Sequence, residues 1–144
     1  MKKHGKSNFE HSAGGVIFRK DGHILLLQDR NNQWSFPKGL IEENEDPIKT
    51  AEREIEEEVG LSGLQFIDSL GQIKYFYRFK KNLIRKKVNF YLFTYLGDET
   101  PKPQADEGIQ DVRWFSPEEA LSSIGYEKTN KQILEQAIKR IMSS

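Results

Sequence analysis

Three glutamates, Glu54, Glu57 and Glu58, follow the i, i+3 and i+4 spacing of a helix. On a helix these side chains lie on one face, stacked over neighbouring turns. Carboxylates that converge on one patch repel each other unless cations lie between them, and hard divalent ions such as Mg²⁺ and Mn²⁺ prefer such oxygen ligands. The spacing therefore favours two interpretations, a divalent metal site or the solvated exterior of an amphipathic helix.

The segment around these glutamates has the features of an amphipathic helix. Asp46 is a suitable N-cap, Pro47 suits the first helical position, and Gly60 is suited to end the helix. Four residues recur at helical spacing and would form its buried stripe: Ile48, Ala51, Ile55 and Val59. Glu56 falls outside the face of the three glutamates, and residues 39–45 are expected to form a loop before the helix.

The rest of the chain predicts a sheet and two further helices. Strands are expected over 13–18, 24–28, 64–73, 75–79, 87–95 and 112–115, the first two joined as a hairpin. A capping box at Ser116 would begin a short helix, and Thr129 would begin the last one. Strands before, between and after helices are typical of an α+β or layered α/β/α domain.

The composition limits the classes of function. The chain has 144 residues, 36% hydrophobic and 11% aromatic, which fits one domain over 1–144, with residues 1–10 expected to be flexible. Its 22 Lys+Arg balance 22 Asp+Glu, which argues against a chain-wide basic field for nucleic acid or anionic membrane. The absence of Cys excludes disulfides and thiolate-bound metals. Without a long apolar run or a signal peptide, a cytoplasmic location is expected.

The neutral total hides two charged segments. Residues 42–58 contain nine acidic and two basic residues, whereas residues 71–87 contain seven basic residues and no acidic one. Such segments are most often solvated faces that attract each other weakly. The alternative is an acidic metal site beside a basic anion site, which a metal-bound polyphosphate would require.

The residues that flank the glutamates decide between these interpretations. Residues 39–61 read G-x5-E-x7-R-E-U-x-E-E-x-G-U, where U is aliphatic. All nine constrained positions match the Nudix box, so the chain resembles the Nudix hydrolases over most of its length. The resemblance implies an α+β fold, a Nudix-type α/β/α sandwich with a mixed central sheet and the box loop and helix on one side.

The resemblance also implies roles for individual residues. The family's metal ligands correspond to the carbonyl of Gly39 and the carboxylates of Glu54, Glu57 and Glu58, with Mg²⁺ as the cofactor and Mn²⁺ as a possible substitute. Arg53 would orient the glutamates through charge-assisted hydrogen bonds, and Glu45 would help to hold the loop–helix unit. Glu107, in an acidic loop before the last strand, is a candidate further ligand or general base, with Asp106 as the fallback.

Two further resemblances concern the substrate. Residues 34–39, Trp-Ser-Phe-Pro-Lys-Gly, resemble the segment before the box in diadenosine tetraphosphate and diphosphoinositol polyphosphate hydrolases, which places Lys38 near phosphate. Residues 73–77 resemble the aromatic strand of the prokaryotic-type diadenosine tetraphosphate enzymes. Tyr75 and Tyr77 share a strand face and would either stack an adenine or pack in the core. Lys86 and Lys87 would bind distal phosphates.

The implied activity is hydrolysis of a nucleoside diphosphate linked to another group, X, at a phosphorus–oxygen bond. The first hypothesis is an asymmetrical bis(5′-nucleosyl)-tetraphosphatase that forms ATP and AMP from diadenosine tetraphosphate. The alternatives are pyrophosphohydrolases of nucleoside triphosphates, RNA 5′ ends or inositol pyrophosphates, and a Nudix-fold sensor that binds a nucleotide without cleaving it. The expected partner is thus a small nucleotide polyphosphate, with nucleic acid expected only as a 5′-end substrate and the protein a monomer or homodimer.

Overall fold

The computed structural model describes residues 8–143. Residues 1–7 and 144 lie outside the described residues, and with them most of the segment 1–10 that is expected to be flexible. Phe9 and Glu10 already belong to the first strand. None of the helices in the described part is long and apolar enough to cross a membrane.

Seven strands and three helices follow one another over residues 8–143. The strands are β1 (Phe9–Phe18), β2 (Ile24–Gln28), β3 (Trp34–Ser35), β4 (Lys38–Leu40), β5 (Leu64–Phe79), β6 (Asn82–Tyr95) and β7 (Asp111–Phe115). The helices are α1 (Pro47–Val59), α2 (Pro117–Ser123) and α3 (Glu127–Met142), and a 3₁₀ turn covers Ala105–Glu107. Glu54, Glu57 and Glu58 therefore lie on α1, as the sequence predicts.

The sheet is mixed, and its central strand is β1. Strands β1 and β6 run parallel, whereas β6 and β5 form a long antiparallel hairpin. On its other side β1 meets β2 only at Phe18 and Ile24, and further along it pairs with β4. Strand β2 pairs in turn with β3 and β7. Strands β1 and β2 therefore separate after this contact, and β4 occupies the gap between them. Residues of β4 can contribute to a site in this gap.

Helices cover both faces of the sheet. The α1 face carries a core that includes Ile55 of the helix and Phe93 of the sheet. The opposite face, which we call the α3 face, carries a core that includes Phe90 of the sheet and Leu134 of α3. Alternate residues of each strand supply the two cores because side chains in a strand point to opposite faces. The α/β/α sandwich with a mixed sheet is thus confirmed.

Local turn chemistry explains the two hairpins. Gly22 has a φ of 83° in the connection between β1 and β2. Lys80 and Lys81, with φ of 48° and 70°, connect β5 to β6 in a two-residue turn. Two consecutive left-handed residues match the right-handed twist of the flanking strands.

Several details differ from the sequence predictions. Strands β1 and β6 begin at Phe9 and Asn82, before the predicted starts at residues 13 and 87. Part of the expected loop 39–45 is strand β4, because it forms ladder hydrogen bonds with β1. Residues 64–79 form one continuous strand instead of two, because they pair with β6 over their whole length. Asp46 makes no side-chain cap to α1; instead Glu45 accepts a hydrogen bond from the hydroxyl of Thr50 at 2.7 Å. Helix α3 begins two residues before Thr129, directly after Tyr126, which adopts the left-handed conformation.

Candidate active site

Helix α1 presents its glutamates with graded burial. Ile55 and Val59 are fully buried in the core of the α1 face and fix the rotation of the helix. Glu54 is completely buried, whereas Glu57 is half-buried and Glu56 is exposed. A buried carboxylate requires compensation by hydrogen bonds or cations. The solvated-exterior interpretation therefore does not account for Glu54.

The backbone of Gly39 lies directly against Glu54. A Cβ atom built on Gly39 would lie 2.1 Å from the carboxylate carbon of Glu54 and 2.3 Å from both its oxygens. The φ of Gly39 is not in the left-handed region, so close approach rather than backbone conformation accounts for the glycine. Strand β4 thus brings a main-chain segment into contact with the first box glutamate on α1.

Arg53 connects three acidic residues of the box. Its Nη1 donates to Glu54 and to Glu57, both at 2.8 Å, and its Nε and Nη2 donate to the two oxygens of Glu45 at 2.8 and 2.9 Å. Nη2 also donates to the carbonyl of Leu40 at 3.1 Å. The Arg53 hydrogen bonds lower the pKa of Glu45 to about 2, and Glu45 is the main cause that raises the pKa of Arg53. Arg53 thereby orients the glutamates, as expected for its position in the box.

A loop far along the chain completes the acidic cluster. Carboxylate oxygens of Glu54, Glu57 and Glu107 lie within 4.8 Å of one another. The loop is tied to the end of α1 by the amide of Lys102, which donates to the Val59 carbonyl at 2.8 Å, and by the amide of Gln104, which donates to the Glu58 carbonyl at 3.1 Å. Three oxygen donors at this separation suit a hard divalent cation that would offset their repulsion. The residues present fit the metal that the Nudix-like box implies.

Glu58 links the acidic cluster to the opposite face of the sheet. One of its oxygens accepts a hydrogen bond from the amide of Lys38 at 3.2 Å. The side chain of Lys38 extends to the α3 face, because its register partner Gly14 belongs to that face. Burial, and secondarily the charge of Lys86, lowers the pKa of Lys38 to about 8. Most Lys38 side chains therefore remain cationic at neutral pH, beside the acidic cluster.

A cavity of about 430 Å³ lies on the α3 face next to Lys38. Its walls include Asp29, Ile73, Tyr75 and Tyr126, together with the first residues of α3. The hydroxyl of Tyr126 donates to Asp29 at 2.6 Å, which fixes the ring at the start of α3. Two aromatic side chains, a cation and an apolar floor thus share one cavity beside the acidic cluster.

The other residues predicted to bind substrate divide between the two faces. Tyr77 donates its hydroxyl to Glu10 at 2.5 Å, and the ammonium of Lys86 lies 3.4 Å from the same oxygen. Tyr75 is the register partner of Lys86, so both lie on the α3 face. Lys87 points to the α1 face, where its ammonium lies 5.9 Å from the ring centre of Phe9. The structure therefore brings Tyr75, Tyr77 and Lys86 together and separates Lys87 from them.

Sequence reasoning missed several residues of this cavity and of the contacts around Tyr77 and Lys86. Glu10, only 5% exposed, belongs to the segment 1–10 that is expected to be flexible. Asp29 and Tyr126 meet across 97 positions of sequence, which no local pattern reveals. Asn130 is buried and donates to the hydroxyl of Ser35 at 3.2 Å. Asn130 could have been found from the sequence, because it is a single polar residue among the apolar positions of α3, a pattern that indicates a buried polar contact.

Comparison with known proteins agrees with this geometry. The NUDIX domain model matches residues 9–137. The protein MutT4 of Mycobacterium tuberculosis is 30% identical over 93% of this chain, which spans 58% of that protein's length. An RNA pyrophosphohydrolase of Sphingopyxis alaskensis is 29% identical over 69% of this chain and 72% of its own.

Solved structures give the same result. A binary complex of the Caenorhabditis elegans Ap4A hydrolase superposes with a TM-score of 0.77 at 25% identity, covering 94% of this chain and 99% of that one. The match covers the box, the sheet and the final helices, so it includes the elements that form the acidic cluster and the cavity. The chain belongs to the Nudix family.

Proposed function

We propose that this protein is a magnesium-dependent pyrophosphohydrolase that cleaves diadenosine tetraphosphate asymmetrically into ATP and AMP. The observation that carries the proposal is the position of the acidic cluster of Glu54, Glu57 and Glu107 beside a cavity lined by Tyr75 and Tyr126. The likeness to the C. elegans Ap4A hydrolase supports this substrate. The likeness to an RNA pyrophosphohydrolase supports the reaction class.

The acidic cluster is the proposed metal site. Its ligands would be Glu54, Glu57, Glu58 and Glu107, with the carbonyl of Gly39. A bound Mg²⁺ supplies charge neutralisation at the polyphosphate and lowers the pKa of a bound water. Arg53 holds two of the carboxylates in place through its 2.8 Å hydrogen bonds, so their side chains need little reorganisation when substrate binds.

The cavity on the α3 face is the proposed nucleoside site. The ring of Tyr75 offers an apolar face to an adenine, and the ring of Tyr126 lines the same cavity. Stacking of this kind does not read base edges, so selectivity among nucleobases would be loose. Lys38 lines this cavity, and burial and secondarily the charge of Lys86 lower the pKa of Lys38, so the phosphate chain would lie near these two cations.

Glu107 is the proposed general base or further ligand. It is the most exposed of the three clustered carboxylates and belongs to a loop rather than to α1. Such a position leaves it accessible to water while the hydrogen bonds of the loop to the end of α1 keep it near the cluster.

Product analysis tests the proposal directly. The purified protein is incubated with Mg²⁺ and with diadenosine tetraphosphate, nucleoside triphosphates, triphosphorylated RNA or inositol pyrophosphates, and the products are separated by chromatography. ATP and AMP in equal amounts, formed faster from diadenosine tetraphosphate than products from any other substrate, are the expected result. Pyrophosphate release from triphosphates or RNA as the faster reaction would replace the proposed substrate but keep the reaction class. No turnover of any substrate would favour a nucleotide-binding sensor.

A further inference from the structure

Near its turn, the β5–β6 hairpin has a surface that no helix covers within residues 8–143. Six residues at this end of the hairpin point to the α1 face, as the register of the two strands requires: Lys74, Phe76, Arg78, Leu83, Arg85 and Lys87. We call this surface, together with Phe9 of β1, the hairpin face. Phe76 is 62% exposed and Phe9 46% exposed, values unusual for large aromatic side chains.

Two rows of side chains cross the strands of the hairpin face. In the first row Arg85 is the register partner of Phe76 on one side and of Phe9 on the other. In the second row Lys87 is the partner of Lys74 and of His11 in the same way. A groove of about 340 Å³ runs between these rows. Aromatic rings and cations therefore alternate across three strands.

The cations of this face are not neutralised by carboxylates of the described residues. Within residues 8–143, Lys74, Arg78, Arg85 and Lys87 form no ion pair with a carboxylate, and residues 71–87 contain no acid. By contrast, Lys86 points to the other face and pairs with Glu10. Four unpaired cations on one side of a hairpin form a local field for a polyanion although the net charge of the chain is zero.

We propose that the hairpin face binds a single-stranded nucleic acid. Phosphates would contact Lys74, Arg85 and Lys87, and bases would stack on the exposed rings, the combination found at sites for single strands. Lys87 lies on the order of 12 Å from Gly39 in the plane of the sheet, given the spacing of strands and residues. The hairpin face therefore lies on the same side of the sheet as the acidic cluster and near it, but uses different residues.

Rings among the cations favour nucleic acid over an acidic protein segment, since each base offers a flat face for stacking. An anionic membrane surface would also attract cations and aromatic rings. The two partners differ in their response to Phe76→Leu. Loss of the ring removes stacking with a base, whereas an aliphatic side chain still inserts among lipids.

The test measures binding by fluorescence anisotropy of a short 3′-labelled oligoadenylate that bears a 5′-hydroxyl, in EDTA. This probe has no polyphosphate to cleave, so the assay does not depend on the proposed activity. Wild-type protein and Glu57→Gln are expected to bind alike. Phe76→Leu is expected to weaken binding about five- to one-hundred-fold, the range for loss of one stacked base.

Charge removal provides the second measurement. The double variant Lys74→Ala/Arg85→Ala is expected to lower the slope of log K against log salt by about 1.4, the value for two lost contacts to a single strand. The matched control, Lys131→Ala/Lys139→Ala, removes the same charge from exposed positions of α3 on the opposite face and should leave binding unchanged.

Three results would overturn the proposal. These are no binding by the wild-type protein, equal losses in the two double variants, and a Phe76→Leu variant that binds as tightly as wild type. Binding to phosphatidylserine vesicles without binding to the oligonucleotide would overturn it in favour of a membrane surface. Circular dichroism and the thermal unfolding midpoint of each variant confirm its fold without reference to the proposed activity.

Discussion

The acidic cluster and the aromatic cavity are adjacent but are built in different ways. Most of the cluster comes from one continuous segment, residues 39–58, in which a strand, a loop and a helix follow each other directly. The cavity is assembled from Asp29 after β2, Lys38 of β4, two residues of β5 and the start of α3, which are far apart in sequence. Chemistry is thus specified locally, whereas the shape that selects a substrate depends on the whole fold.

This difference has a physical basis. Carboxylates that share an ion must be held to within a fraction of an ångström, and a helix turn fixes i, i+3 and i+4 side chains with little dependence on other elements. A nucleoside is larger, and its cavity needs walls from both sides, which a single segment cannot supply. We therefore expect substitutions in the acidic cluster to reduce turnover, and substitutions in the cavity to change substrate affinity.

The largest effect is expected from Glu57→Gln. The change keeps the shape of the side chain but removes a carboxylate from the cluster with Glu54 and Glu107. We expect kcat to fall about a thousand-fold or more, equivalent to about 4 kcal/mol of lost transition-state stabilisation. Steady-state kinetics on diadenosine tetraphosphate measure this fall in kcat.

The control is Glu56→Gln on the same helix. Because Glu56 is exposed and lies outside the cluster, this variant should retain wild-type kcat. Equal losses of kcat in both variants would contradict a specific metal site.

A smaller but still large effect is expected from Gly39→Ala. The new methyl group would overlap the Glu54 carboxylate, so β4 and α1 must move apart. Displacements of about 1 Å at a reacting centre cost roughly a hundred-fold in rate. Gly22→Ala provides the control, because that glycine lies in a turn with open space around it and outside the acidic cluster and the cavity. Its φ of 83° makes the alanine costly to stability, but kcat of the folded protein should be unchanged. If Gly39→Ala retains full kcat, the contact between β4 and Glu54 has no part in catalysis.

The cavity is tested by Tyr75→Ala. Loss of one stacking surface costs about 1–3 kcal/mol, so we expect KM for diadenosine tetraphosphate to rise roughly ten-fold or more while kcat changes little. Inorganic pyrophosphate, which has no base, should bind wild type and variant alike as an inhibitor. A fall in kcat at unchanged KM would place Tyr75 with the chemistry instead and erase the distinction between the two regions.

The same distinction explains what the sequence could predict. The box was found from its spacing, and Arg53, Glu54 and Glu57 lie together as that spacing implies. Glu107 was found only through the family resemblance, since its place depends on hydrogen bonds between a distant loop and the end of α1. Glu10 was missed because its burial arises from pairing of β1 with β6, and such pairing follows from topology rather than from local pattern.

The start of α3 is a second feature that local sequence patterns do not predict. The sequence places a cap at Thr129, but Tyr126 precedes the first helical residue in a left-handed conformation. A tyrosine is not a preferred residue for that conformation or for a cap. The hydrogen bond of its hydroxyl to Asp29 is a tertiary interaction that local propensity does not contain.

The smallest expected effect concerns stability rather than turnover, and it tests whether the box is also a structural unit. Arg53 lowers the pKa of Glu45 from 4.5 to about 2, so the stabilisation is fully present above pH 4.5 and is lost as the pH falls toward 2. Because Glu45 is partly solvated, we expect the free energy of unfolding to fall by an amount on the order of 1–2 kcal/mol.

Urea unfolding at pH 7 and at pH 3 measures this fall, with Glu45→Gln as the comparison. The variant should be less stable than wild type at pH 7 and lose less between the two pH values. An equal loss in both proteins would mean that the Glu45–Arg53 contact adds nothing to the fold, and that the loop before α1 is held by its backbone alone.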